Sequence, residues 1–237
     1  MQIQRATIND CQEAAGLVVA IDVLRAFTTA AYLFDNGAEN IILVSEVDEA
    51  FRLKNSNPEL LLVGEVDGIQ VPGFDFGNSP SEIAKNNFSG KTIVQRTTAG
   101  TQGVARAIHA KTILTAALTN ISATVHLIEA LNPTNVTLIQ TGLFPDRGWG
   151  DEDVACADAI EMMLLGEEVK WETVIKRVRT SRSGLRYDGT HAAFPATDLK
   201  AALQIDRFNY GMLVKKKQGL DVLTKVDLDA VPAQLRL

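Results

Sequence analysis

At 237 residues, with 46% hydrophobic and 22% charged residues, the chain has the composition of an ordinary globular protein, long enough to bury a substantial core. A formal charge of −6 without a basic run or an aromatic-basic face argues against nucleic acid or an anionic membrane as partner, so an anionic ligand would need local positive charge or a metal. Cys11, Cys156 and three scattered histidines give no zinc spacing. No amino-terminal apolar segment with a basic flank appears, and no apolar run reaches about 18 residues, so the expectation is a cytoplasmic protein.

Residues 1–7 alternate enough for a short strand, and 17–23 form an apolar run interrupted only by Asp22, the mark of a strand covered on both faces. A helical pattern over 24–36 closes at Asn36-Gly37 as a C-cap. Asp22 therefore falls near the carboxyl end of a central strand, the edge where open α/β sheets bind ligands. The alternation continues with strand 40–44, helix 47–54, strand 60–64, a long irregular stretch 65–80, helix 81–86, strand 92–95, helix 104–109, strand 112–116, helix 121–131 and strand 135–140. Such alternation implies an α/β fold, a mostly parallel sheet with helices on both faces, built as one domain over 1–237. From about 142 the pattern is more irregular: a loop over 142–150, a helix opening at Asp151-Glu152-Asp153 and running to 165, and another over 171–179. Apolar positions at Met212, Leu213, Val214, Val222, Leu223 and Val226 read as a helical segment and a terminal hairpin, followed by a tail containing Pro232.

The stretch 91–103 passes from a β-branched run through Thr97, Thr98, Gly100 and Thr101 into a helix. Free N–H groups and the positive end of the helix dipole favour an oxyanion there, and Arg96 offers a bidentate contact. The plainer reading is an ordinary N-cap by Thr97 or Thr98. The 64–80 stretch is too long for a usual α/β connection and carries Glu65, Asp67, Asp75, Asn78 and Ser79. Ser79, Pro80 and Glu82 match a capping box, which accounts for Ser79 without a ligand. Glu65 follows a buried strand at the same sheet edge as Asp22. The two, with one of Asp151 to Asp153, suit Mg²⁺, although an acidic first helical turn also explains those three residues. No GxxxxGK[ST] loop, GxGxxG or GxSxG is present, which leaves an anion cradle beside carboxylates: the elements of metal-assisted phosphoryl chemistry.

Asp22-Val23-Leu24-Arg25-Ala26, Gly64-Glu65 with Gly68, Gly73-Phe74-Asp75 with Gly77-Asn78-Ser79-Pro80, Gly90-Lys91-Thr92, and Thr97-Thr98 with Gly100-Thr101 resemble the 2-phosphosulfolactate phosphatases of the ComB family, over residues 18–165. The resemblance implies a three-layer α/β/α phosphatase, dependent on Mg²⁺, that hydrolyses 2-phospho-3-sulfolactate on the route to coenzyme M, with a homodimer as the family-style expectation. The implied functional positions are Asp22, Arg25, Glu65, Asp75, Asn78, Ser79, the Thr97 to Thr101 turn and the helix start at Asp151 to Asp153. The chain departs from the family pattern at Val66-Asp67, where a basic residue and a Gly are expected, and at Ala99, where Asn is. Positive charge beside Glu65 is thereby lost.

These readings combine into one expectation. Asp22 and Glu65, with Asp153, bind Mg²⁺, and water attacks phosphorus in line. Thr97, Thr98, Gly100 and Thr101 hold the phosphoryl oxygens, Arg25 and Arg96 neutralise charge, and Asp75, Asn78 or Ser79 contacts the small anionic substrate. The alternatives are a phosphatase of another small phosphorylated hydroxyacid, a non-catalytic anion-binding module, and a phosphotransferase, against which the absent nucleotide loop counts.

Overall fold

The computed structural model describes residues 1–144 and 148–228; the Pro232 tail and the middle of the 142–150 loop lie outside the described residues. The apolar run after Gly16 forms β2 (Gly16–Ile21), and its alternating side chains serve two cores. Val18 and Ala20 join one cluster, while Leu17, Val19 and Ile21 join another. Burying each of these Val, Leu and Ile side chains contributes roughly 1.5–3 kcal/mol.

The first half of the sheet is β1 (Gln2–Thr7), β8 (Asn135–Gln140), β2 and β7 (Ala110–Ala116), all parallel. The second half is β3 (Asn40–Val44), β6 (Thr92–Arg96) and β4 (Leu61–Val66), also parallel, with β5 (Ile69–Gln70) antiparallel at its edge. Between the halves lies a hairpin, β9 (Tyr210–Lys217) and β10 (Leu220–Asp227), antiparallel to β7 on one side and to β3 on the other. The helical segment expected over the positions from Met212 is instead strand β9, because the chain pairs there with β7, and the expected terminal hairpin is a central seam, giving the order β1-β8-β2-β7-β9-β10-β3-β6-β4-β5. Its turn residues Gln218 and Gly219 both have positive φ, the backbone a two-residue hairpin loop demands.

The parallel strands of the two halves run in opposite local sense across this seam. A twist of about 20–25° per neighbouring pair accumulates to the order of 120–150° over the six steps from β2 to β4. The carboxyl ends of both strands can thus open onto one cleft.

Helices cover both faces, giving the expected three-layer α/β/α arrangement. On one face α1 (Ala26–Asp35) and α4 (Gly100–Arg106) pack against strands of both halves, where Phe27, Leu33 and Val104 share a cluster with Val18, Ile41, Val63 and Ile93. On the other, α5 (Ile121–Leu131), α6 (Asp151–Leu164) and α7 (Trp171–Thr180) cover the first half, and α2 (Val47–Ser56) covers the second. No helix among the described residues is long and apolar enough to cross a membrane.

Two local differences from the expected elements matter. The helix expected over 104–109 is α4, which starts at Gly100 and ends at Arg106, because the chain must already pair in β7 at Ala110. The stretch 65–80 is less irregular than expected. Asp67 and Gly68, both at positive φ, turn β4 into β5; Phe76 bridges Val63, and α3 (Pro80–Ile83) follows.

Candidate active site

The cleft lies where β2, β4 and β6 end, has a volume of about 540 Å³, and is lined by Asp22, Arg25, Glu65 and Asn78 among others. Asp22 leaves β2 buried, and its Oδ1 accepts the Ala26 N–H at 2.9 Å, fixing the first turn of α1. Glu65, near the end of β4, accepts the Thr98 N–H at Oε1 (2.6 Å) and the Thr98 hydroxyl at Oε2 (2.9 Å), with Gly68 N–H also on Oε2 (2.5 Å). Gly100 is required beside them: a Cβ there would lie 2.5 Å from the Ala26 Cβ and 2.9 Å from Asp22 Oδ2.

The hydroxyl-rich turn divides its labour. Thr98 lines the cleft and holds Glu65. The hydroxyls of Thr97 and Thr101 are buried and turned onto the turn itself, each accepting the other's backbone N–H (3.1 and 2.9 Å). Arg96 is likewise engaged with main chain, donating to Ser45 O (3.1 Å) and Glu65 O (2.8 Å), and it does not line the cleft. Asp75 stands away from the cleft, accepting Leu62 N–H (2.7 Å) and pairing with Lys54 (3.2 Å). Ser79 caps α3 through Glu82 N–H, donates to Asp198 Oδ1 (2.7 Å), and opens onto an adjoining cavity. Asn78 is buried, faces the cleft, and its Oδ1 has no hydrogen-bond partner.

Three consecutive acids open α6, and a step of about 100° per residue sends them different ways. Asp151 pairs outward with Arg177. Asp153 is buried behind Asp22, its Oδ1 accepting Val23 N–H (2.9 Å) and its Oδ2 accepting Gly142 N–H (2.7 Å), and it does not line the cleft. Glu152 is the one that lines it, buried, with Oε2 unpartnered.

Burial makes charge costly here. It is the main cause raising the Asp22 carboxyl to about 7, with help from Glu65 and Glu152 and against the Ala26 N–H. Burial raises Glu152 and lifts Asp153 well above the ordinary range, the latter reinforced by Asp22 and Glu152. Among the described residues no group of three or more His, Cys, Asp or Glu side chains is arranged to hold a metal ion by itself. The donor set nonetheless fits Mg²⁺, which binds through one or two carboxylates and fills its shell with water and substrate oxygens. The orphaned Glu152 Oε2 beside Asp22 is such a donor.

The remaining wall comes from residues that sequence reasoning passed over: Trp149, Ser183, Arg186, Tyr187 and Phe194. Asp198, in α8 (Ala196–Ala202), lies beneath them and pairs with Arg25 at 2.8 Å. Fifteen residues separate α7 from α8 with only a 3-10 turn at Gly184–Arg186 between them, and that long connection was the available signal.

A twisted α/β sheet with buried carboxylates and a fixed arginine at its strand ends is the frame of an enzyme acting on a small polar ligand. The chain belongs to the 2-phosphosulpholactate phosphatase family, whose model matches residues 3–215, and this places it among the phosphoric monoester hydrolases. It is 31% identical to a probable 2-phosphosulfolactate phosphatase of Bacillus subtilis over 90% of this chain and 92% of that one. A protein of the same description from Carboxydothermus hydrogenoformans is 42% identical over 65% of this chain and 63% of its own, and one from Thermoplasma acidophilum is 30% identical over 82% and 84%.

Proposed function

We propose that this chain is a Mg²⁺-dependent phosphatase that hydrolyses the phosphate monoester of 2-phospho-3-sulfolactate to sulfolactate and phosphate. The observation that carries this reading is that the family match over 3–215 spans every residue lining the cleft, from Asp22 to Phe194.

Asp22 and Glu152 are the side chains that would hold Mg²⁺, the rest of its shell coming from water and substrate oxygens, with Glu65, held by Thr98 and Gly68, beside them. Bound there, the ion would neutralise phosphoryl charge and make a water more acidic. Asp153 supports them by tying the main chain at Val23 and Gly142 together. Arg25 is held by Asp198, Ala193 O (2.8 Å) and Gly68 O (3.0 Å), so it offers phosphoryl oxygens a cation that need not reorganise. Asn78 faces the cleft, and its amide N–H₂ would donate to the ester oxygens. Buried walls around these groups limit water and strengthen each contact.

The test is phosphate release from a panel of phosphorylated small acids, phosphosulfolactate included, with Mg²⁺ and with chelator. Mg²⁺-dependent release greatest on phosphosulfolactate supports the whole reading. Release peaking on another ester moves the substrate, and no release from any ester overturns it.

A further inference from the structure

Two cations line the cleft among the described residues, and they differ in their commitments. Arg25 is buried against Asp198. The Arg186 side chain forms no hydrogen bond or ion pair among the described residues, although Asp22, Glu65, Asp67 and Glu152 share the cleft with it. It is held instead by aromatic faces, its Cζ 3.7 Å from the Phe194 ring centre and 5.2 Å from that of Trp149. Stacking of this kind fixes a guanidinium while leaving its edge donors free.

The placement is built rather than incidental. Gly68 approaches so closely that a Cβ there would lie 2.6 Å from the Phe194 ring and 3.7 Å from Arg186 Nη2, which seats both over the β4–β5 turn. Arg25 Cζ lies 5.3 Å from the centre of the same ring, so the two guanidinium carbons are no farther apart than the two distances combined, about 9 Å. That span suits a compact molecule with a phosphate at one end and a second acid group on the same short carbon skeleton.

Resting on the phosphatase reading above, we propose that Arg186 is a specificity residue: it binds the second acid group, sulfonate or carboxylate, of a phosphorylated hydroxyacid whose phosphate lies towards Arg25. A planar guanidinium edge matches either group with two parallel hydrogen bonds. It also supplies the positive charge that Val66-Asp67 does not.

Arg186 is exposed and its replacement leaves the core intact. Arg186→Gln should lower kcat/KM on phosphosulfolactate by about 10- to 100-fold, mainly through KM, the scale of a lost charge-assisted pair. Phenyl phosphate, which has no second acid group, should change less than about twofold on the same scale, and Arg186→Lys should recover part of the loss. Equal losses on both esters, or none on phosphosulfolactate, overturn the assignment. Titration calorimetry of phosphate-free sulfolactate onto the full chain reads Arg186 without turnover. Affinity at least about tenfold weaker in Arg186→Gln supports the assignment, and unchanged affinity or no binding to the unaltered protein overturns it, whether or not phosphate is released.

Discussion

Asp198 Oδ2 accepts a hydrogen bond from Arg25 Nη1 at 2.8 Å, joining residues 173 positions apart, with side chains 0% and 4% exposed. The other Asp198 oxygen accepts from the Ser79 hydroxyl and, at 3.1 Å, from Ser81 N–H, so one carboxylate ties the first site loop, the start of α3 and α8 together. Removing one partner of such a pair strands a buried charge. Asp198→Ala should therefore destabilise the protein by about 3–5 kcal/mol, read from urea unfolding. A change under about 1 kcal/mol would mean that Arg25 finds another partner or water.

Thr98 and Thr101 lie three residues apart but face different neighbours. Thr98→Val removes the hydroxyl that donates to Glu65 and accepts Asp67 N–H, and should lower kcat by about tenfold or more with a small stability change. Thr101→Val leaves the buried Thr97 N–H without its acceptor and should cost about 1–3 kcal/mol of stability with KM little changed. If the two variants behaved alike in phosphate release, the division of labour in this turn would be wrong.

Gly100→Ala would drive a methyl group into Ala26 and Asp22. Overpacking at such a contact costs about 1–3 kcal/mol, and here it also displaces a cleft carboxylate. The expected outcome is a lower unfolding midpoint together with loss of most phosphate release. Gly90→Ala meets nothing within 4 Å and does not line the cleft, so it serves as a control for phosphate release, although its positive φ adds some strain.

Burial raises the Asp22 carboxyl from 3.8 to about 7, so between those values the folded chain binds a proton that the unfolded chain has lost. Stability from this group is complete below about pH 4 and is lost as pH rises through about 7. In chelator, Asp22→Asn should therefore be more stable than the unaltered protein at pH 8, by something on the order of 1–3 kcal/mol, with the gain shrinking towards pH 4. Urea midpoints at the two pH values check it; a gain that is the same at both would refute the assigned cause.

The burial of Asp22 beside Glu152 also predicts a metal effect. At pH 8 Mg²⁺ should raise the melting temperature of the unaltered protein, and Glu152→Gln should weaken that rise by removing an unpartnered buried oxygen. Equal shifts in both proteins would exclude Glu152 from the ion's surroundings.

Much of the fold was legible because its signals are local. The run before Asp22 had to be a strand buried on both faces, and helix 121–131 and strands 40–44 and 135–140 carry their own periodicity and turn residues, so their limits agree with α5, β3 and β8. Asp22, Glu65 and Thr98 could be singled out because each lies at or just past the carboxyl end of a strand, the sheet's ligand-binding edge, and Asn78 because it lies in an unusually long connection, while Arg25 stood out only through the family resemblance.

What tertiary structure alone decided depends on groups distant along the chain. Periodicity cannot tell where a hairpin inserts, and only pairing of β9 with β7 and β10 with β3 made it the seam between the half-sheets that carry β2 and β4. Residue type cannot tell which way a hydroxyl or carboxylate turns: Thr97 and Thr101 close on each other, Arg96 serves main chain, and of three adjacent acids only Glu152 lines the cleft. Asp198 and Arg186 acquire their meaning from Arg25 and Phe194, across contacts that no local pattern encodes.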